Sequence, residues 1–157
     1  MRMPQGFALL ELILLLALLG VLLGLGLGYL RSDHLAVNQA ARSLAAQVTR
    51  ARLEAIRRNT FAGLVFSTTP SGGYLVFVDA NGNRTYDGPS EAIQAVTFGQ
   101  GEWAQLKLTN FSGPTSLVFD ARGVPLDSAP IQLTLTNRQG TYSKTVYISP
   151  QGRAAIP

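Results

Sequence analysis

Asp79, Asn81, Asn83, Thr85 and Asp87 fall at alternate positions. That is the spacing at which a short loop turns oxygen ligands toward a calcium ion. An EF-hand loop also needs Gly at its sixth position and a bidentate Glu at its twelfth. Arg84 and Ser90 stand there, with Glu91 one residue late. The competing reading is a hairpin built on Asn81-Gly82, a strong turn dipeptide. Both readings stay open: calcium ligands at Asp79, Asn81, Asn83 and Asp87, or a turn that needs no ion. A second chemistry is polyanion contact. Arg57 and Arg58 lie in a run with Arg50 and Arg52, while Arg138, Lys144 and Arg153 are spread over the last twenty residues. Salt-dependent DNA backbone binding needs such cations close together; solvated surface charge is the alternative. A third is the lone carboxylate Glu11 inside an apolar run. Nucleophilic catalysis has little to work with. There is no Cys and one His, His34, and Asp120 and Asp127 have no recognisable partner. Thiol chemistry, disulfides and Cys-ligated metals are excluded.

The elements that must carry these groups follow from hydropathy. Residues 7–30 hold one charge, Glu11, in 24 positions. As a helix they measure about 36 Å, enough to cross a bilayer. A cleavable secretory signal would have a shorter apolar core ending in an A-x-A-like site. No such site follows here. A carboxylate in such a segment is costly unless paired. Its best partner would be a positive charge at the start of the apolar run, such as a new amino terminus at Phe7. Gly20, Gly24 and Gly28 recur every four residues. They read as a helix-packing face or as a weak point, since Gly lowers helix propensity.

Val37, Ala41, Leu44, Val48, Ala51 and Ala55 then mark one face of an amphipathic helix. Without Gly or Pro between residues 31 and 59, the two helices are expected to run on as one rod of about 78 Å. The charge is uneven. Residues 31–58 carry six Arg against two acids, and residues 59–157 carry six basic and six acidic residues. After Thr60 the period changes to two, with Gly, Pro and Asn turns. Seven strands are expected, near 62–66, 74–79, 93–98, 104–109, 116–119, 131–136 and 141–148. The organisation is thus a leader at 1–6, a transmembrane assembly helix at 7–30, a basic amphipathic helix at 31–59 and a β-rich head at 60–157. The fold class is α+β, a long helix packed against a small two-sheet antiparallel head.

Gln5-Gly6-Phe7-Ala8-Leu9-Leu10-Glu11 resembles the class III signal of type IV pilins and type II secretion pseudopilins. Three head motifs are similar to the FimT/GspH group of minor pilins and pseudopilins. They are Ala51-Arg52-x-Glu54-Ala55-Ile56-x-Arg58-Asn59, Tyr74-x-Val76-Phe77-x-Asp79-x-Asn81-Gly82, and Ser149-Pro150-x-Gly152-Arg153. The resemblance implies a non-enzymatic structural fibre subunit. Prepilin peptidase would cut after Gly6, and Phe7 would be N-methylated. Glu11 would serve assembly with other pilins through the N-terminal helix, on an inner-membrane assembly platform. The precursor would cross the inner membrane once, with a periplasmic head, before entering a pilus or pseudopilus. In the FimT branch a Gly-Arg-x-Arg end can contact DNA. Here Ala155 replaces the second Arg. A DNA-binding minor pilin of a competence pilus and a type II secretion pseudopilin for protein export stand as alternatives. No cofactor is implied beyond the calcium considered above.

Overall fold

The computed structural model describes residues 6–29 and 32–157, with side chains for 9–23 and 33–157. They form two units, Met1–Ser32 and Asp33–Pro157. Helix α1 (Gly6–Tyr29) is the first unit's element. Its backbone stays helical through Gly20, Gly24 and Gly28. All its described large apolar side chains are exposed, from 45% at Leu19 to 67% at Leu10. Among the described residues no helix is long and apolar enough to cross a membrane. Residues 1–5 of the expected leader at 1–6, and residues 30–31 of the expected unbroken helix, lie outside the described residues.

Helix α2 (Ser32–Arg58) has Asp33 in its first turn and Arg57 and Arg58 in its last, each complementing the helix dipole. It stops at Asn59, whose φ of 51° is left-handed. There Thr60 N–H donates to the Ala55 carbonyl and Asn59 N–H to that of Ile56. This pairing satisfies the last carbonyls of the helix. The predicted face Val37, Ala41, Leu44, Val48, Ala51 and Ala55 is fully buried.

Eight strands follow, in two four-stranded antiparallel sheets. The first sheet contains β1 (Ala62–Ser67), β2 (Gly73–Val78), β3 (Ala92–Thr97) and β5 (Ser116–Phe119), ordered β3-β2-β1-β5. The second contains β4 (Leu106–Ser112), β6 (Ile131–Asn137), β7 (Ser143–Ile148) and β8 (Ala154–Ala155), ordered β4-β6-β7-β8. Leu64, Phe66, Val76, Leu117 and Phe119 from the first sheet share one core with Leu106, Leu133, Leu135, Val146 and Ile148 from the second. The α2 face completes that core. Ser43 and Tyr74 hydroxyls meet at 3.3 Å, and Arg50 Nη1 donates to Gln94 Oε1 at 3.0 Å, fixing α2 to the first sheet. Tyr142 O–H donates to Asn38 Oδ1 at 3.1 Å, and its ring stacks on His34, fixing α2 to the turn between β6 and β7.

Two differences from the sequence expectation have local causes. β4 starts at Leu106, not at 104, because left-handed Gly99 and Gly101 lead the chain into a 3-10 turn at Gly101–Trp103. β7 starts at Ser143, not at 141. The Asn137 side-chain oxygen accepts the N–H groups of Thr141 and Tyr142 and keeps them in the turn. The two-residue β8 was not expected at all.

Candidate functional site

The alternating-oxygen segment is a loop between β2 and β3, closed on two buried carboxylates. Asp79, 1% exposed, directly follows β2. Its Oδ1 accepts the backbone N–H of Asn81 at 3.0 Å and of Gly82 at 2.7 Å, and its Oδ2 accepts that of Arg84 at 2.6 Å. Glu91, 6% exposed, accepts the N–H of Ala80 at 2.9 Å and of Asp87 at 3.0 Å. Asp87 accepts the side-chain amides of Asn81 at 2.6 Å and Asn83 at 2.5 Å. Those two amides, Asn81 first, hold the Asp87 carboxyl below its ordinary range. Arg84 takes a positive φ of 69°, and its guanidinium sits 5.1 Å from the Phe61 ring centroid. The carboxylates of Asp79, Glu91 and Asp87 thus accept hydrogen bonds from the loop's own N–H donors. Among the described residues no group of three or more His, Asp or Glu side chains is placed to hold a metal ion. Sequence spacing set Glu91 aside for calcium because it stood one residue late. The structure gives it a different task, holding both ends of the loop.

The five basic candidates divide between two ends of the head. Arg138 lies in the turn between β6 and β7, beside Tyr142 and hence beside Asn38. Lys144, the second residue of β7, lies at the same end and its Nζ donates to the Pro157 carbonyl at 3.4 Å. Arg57 and Arg58 are about 30 Å along α2 from Asn38. Both are tied to Glu54, at 2.7 and 2.9 Å. The Arg57 bond, then the Arg58 bond, holds the Glu54 carboxyl below its ordinary value. Arg153 closes the turn into β8, with its N–H on Ser149 Oγ at 3.2 Å. It belongs with the α2 C-terminus. Gly152 lies against Pro125, and Gly123 of the same loop lies against Ile56 and Arg52. Arg153 therefore shares an end with Arg57 and Arg58, and Arg138 and Lys144 do not. Whether Arg138, Lys144 and Arg153 converge was open from sequence; β7 sets Arg153 about 17 Å from Lys144.

Glu11 is exposed on α1, in the middle of exposed Leu9, Leu10, Leu12 and Ile13. The side chain of Phe7 lies outside the described residues.

Residues 40–152 match the family model of the type II transport protein GspH. The chain belongs to this GspH family. It is also 54% identical over 155 residues to the pilin-like protein PilA1 of Thermus thermophilus, covering 97% of each chain. The GspH fold extends to solved structures of low identity. Type IV minor pilin FimU of Pseudomonas aeruginosa PAO1 superposes with a TM-score of 0.57 at 18% identity, over 77% of this chain and 87% of that one. The minor pseudopilin EpsH of the Vibrio cholerae type 2 secretion system gives 0.51 at 14% identity, over 77% and 95%. This GspH-family chain is therefore a pilin-like subunit, of a family whose members associate into pilus or pseudopilus fibres.

Proposed function

We propose that the chain is made as a precursor cut by prepilin peptidase after Gly6, held in the inner membrane by residues 7–30 and delivered into a fibre by its assembly platform. Its contribution to the fibre is structural, not enzymatic. The carrying observation is the contrast between the two units. The head buries its own core against α2, whereas every described large apolar side chain of α1 is exposed. Apolar surface of that extent is stabilised only by lipid or by other apolar helices. The Glu11 carboxylate pairs with the freed amine of Phe7 on a neighbouring subunit. Two opposite charges taken out of water together offset much of each other's desolvation cost.

The test is Glu11→Ala in the full-length chain. Processing and membrane extraction should match the unaltered chain, and the head should keep its protease resistance. The amount in the sheared fibre fraction should fall about tenfold or more, as expected when one partner of a buried ion pair is lost. Normal incorporation of this variant would remove the pairing. A mature N-terminus other than Phe7 would remove the processing step.

A further inference from the structure

Asn81-Gly82 is the one Asn-Gly pair in the chain. Such pairs are chemically labile because Gly puts no side chain between its nitrogen and the preceding amide carbon. In the reaction the Gly82 nitrogen attacks Asn81 Cγ. The new N–Cγ bond closes a five-membered succinimide, the Cγ–Nδ2 bond breaks and ammonia leaves with the proton from Gly82. Water then opens the ring to aspartate or isoaspartate. The net change is amide plus water to acid plus ammonia.

In this fold both reacting groups are tied elsewhere. The Gly82 N–H points at Asp79 Oδ1, 2.7 Å away. Asn81 Nδ2 is held by Asp87 Oδ2 at 2.6 Å, and Asn81 Oδ1 accepts the Asn83 N–H at 3.0 Å. Ring closure needs the Gly82 nitrogen above the plane of the Asn81 amide, and these three bonds fix both groups in other directions. Asp79 itself is anchored by its two further N–H bonds, so the arrangement opens only with the loop.

We propose that Asn81-Gly82 is a latent deamidation site, kept silent by the Asp79–Asp87 clasp and exposed when the β2–β3 loop opens. The change is one-way in structure as well as chemistry. An acid at position 81 sets a carboxylate against Asp87 Oδ2, where an amide donor stood before. The opened loop cannot then reclose with the same bonds.

The experiment ages the full-length chain in detergent micelles at neutral pH, beside an unstructured peptide of residues 77–87. Deamidation is read as a mass gain of one dalton localised to Asn81 by fragmentation. This readout ignores isomerisation at Asp87-Gly88, which leaves mass unchanged. Asn81 in the folded chain should react about tenfold or more slowly than in the peptide, the ratio reporting the open fraction of the loop. Asp87→Ala, at an exposed position, should raise the rate toward that of the peptide while circular dichroism is unchanged. Asp79→Asn should do the same. A folded wild-type chain reacting as fast as the peptide or faster would overturn the proposal, the faster case making Asp79 a general base. So would a folded Asp87→Ala chain that reacts no faster than wild type.

Discussion

Replacing Asp79 takes one acceptor from three backbone N–H groups at once. Asp79→Ala leaves those part-buried donors without their carboxylate, and a buried donor left unpaired costs about 1–3 kcal/mol. A loss of about 2–4 kcal/mol is expected after partial rescue by water, measured as the shift in a urea midpoint. Calcium and a chelator should leave the wild-type midpoint unchanged, since the Asp79 oxygens already accept the loop's N–H groups. A calcium-dependent rise would restore the loop as a cation site. Three other carboxylates are held below their ordinary values and contribute to the acid dependence of stability. Arg57 and Arg58 act on Glu54, the Asn81 and Asn83 amides on Asp87, and the Val124 N–H and Arg122 on Asp120. A folded value below the unfolded one gives stability that is present above the ordinary carboxylate range and lost as pH falls through the folded values. The melting temperature should therefore hold above about pH 5 and decline below about pH 4. Glu54→Gln should make that decline shallower. A melting temperature that rises on acidification would reverse the sign.

At the scale of elements, Gly63 decides how closely β5 approaches β1. It pairs with Phe77 on one side and Val118 on the other. A Cβ there would run into the Leu117 carbonyl oxygen, a backbone atom that cannot turn aside. Gly63→Ala should destabilise the head by about 1–3 kcal/mol, as overpacking does, in a thermal melt. An unchanged melt would mean that β5 shifts freely along its edge. The strands themselves were legible from the period of two and the turn residues, and the α2 face from its 4, 3, 4, 3, 4 spacing. β8 was not, because two residues are too few to show a period. The 104–105 and 141–142 errors came from side-chain and glycine turn chemistry that a period cannot report.

At the scale of the whole molecule, charge distribution sets what the head can do with a polyanion. Arg57, Arg58 and Arg153 share one end of the head and Arg138 and Lys144 the other. Glu54 already neutralises part of the first group. Duplex DNA should therefore be retarded weakly, independently of sequence and only at low salt. Arg153→Ala and Arg57→Ala should weaken retardation for all sequences alike, because phosphate contacts carry no base information. Arg138→Ala should leave it unchanged. Gel retardation at two salt concentrations checks this. No retardation at the lower salt, with all three variants silent, would leave a scaffold subunit without a DNA contact.

The sequence by itself determined the family, the two helical segments and the α+β class. Those depend on local pattern: an uninterrupted apolar run with Glu11 after Gly6 and Phe7, a helical period in α2, and alternation broken by turn residues. Tertiary structure decided which polar groups meet. Asp79, Glu91 and Asp87 bond into one clasp because β2 and β3 pair and bring positions 79 and 91 together. Arg153 joins Arg57 at one end because the loop at 120–125 packs between α2 and the last turn. Those contacts link residues distant in sequence. Spacing along the chain could place the oxygens at alternate positions, but it could not say that Asp79 gathers backbone N–H groups and Asp87 the amides of Asn81 and Asn83.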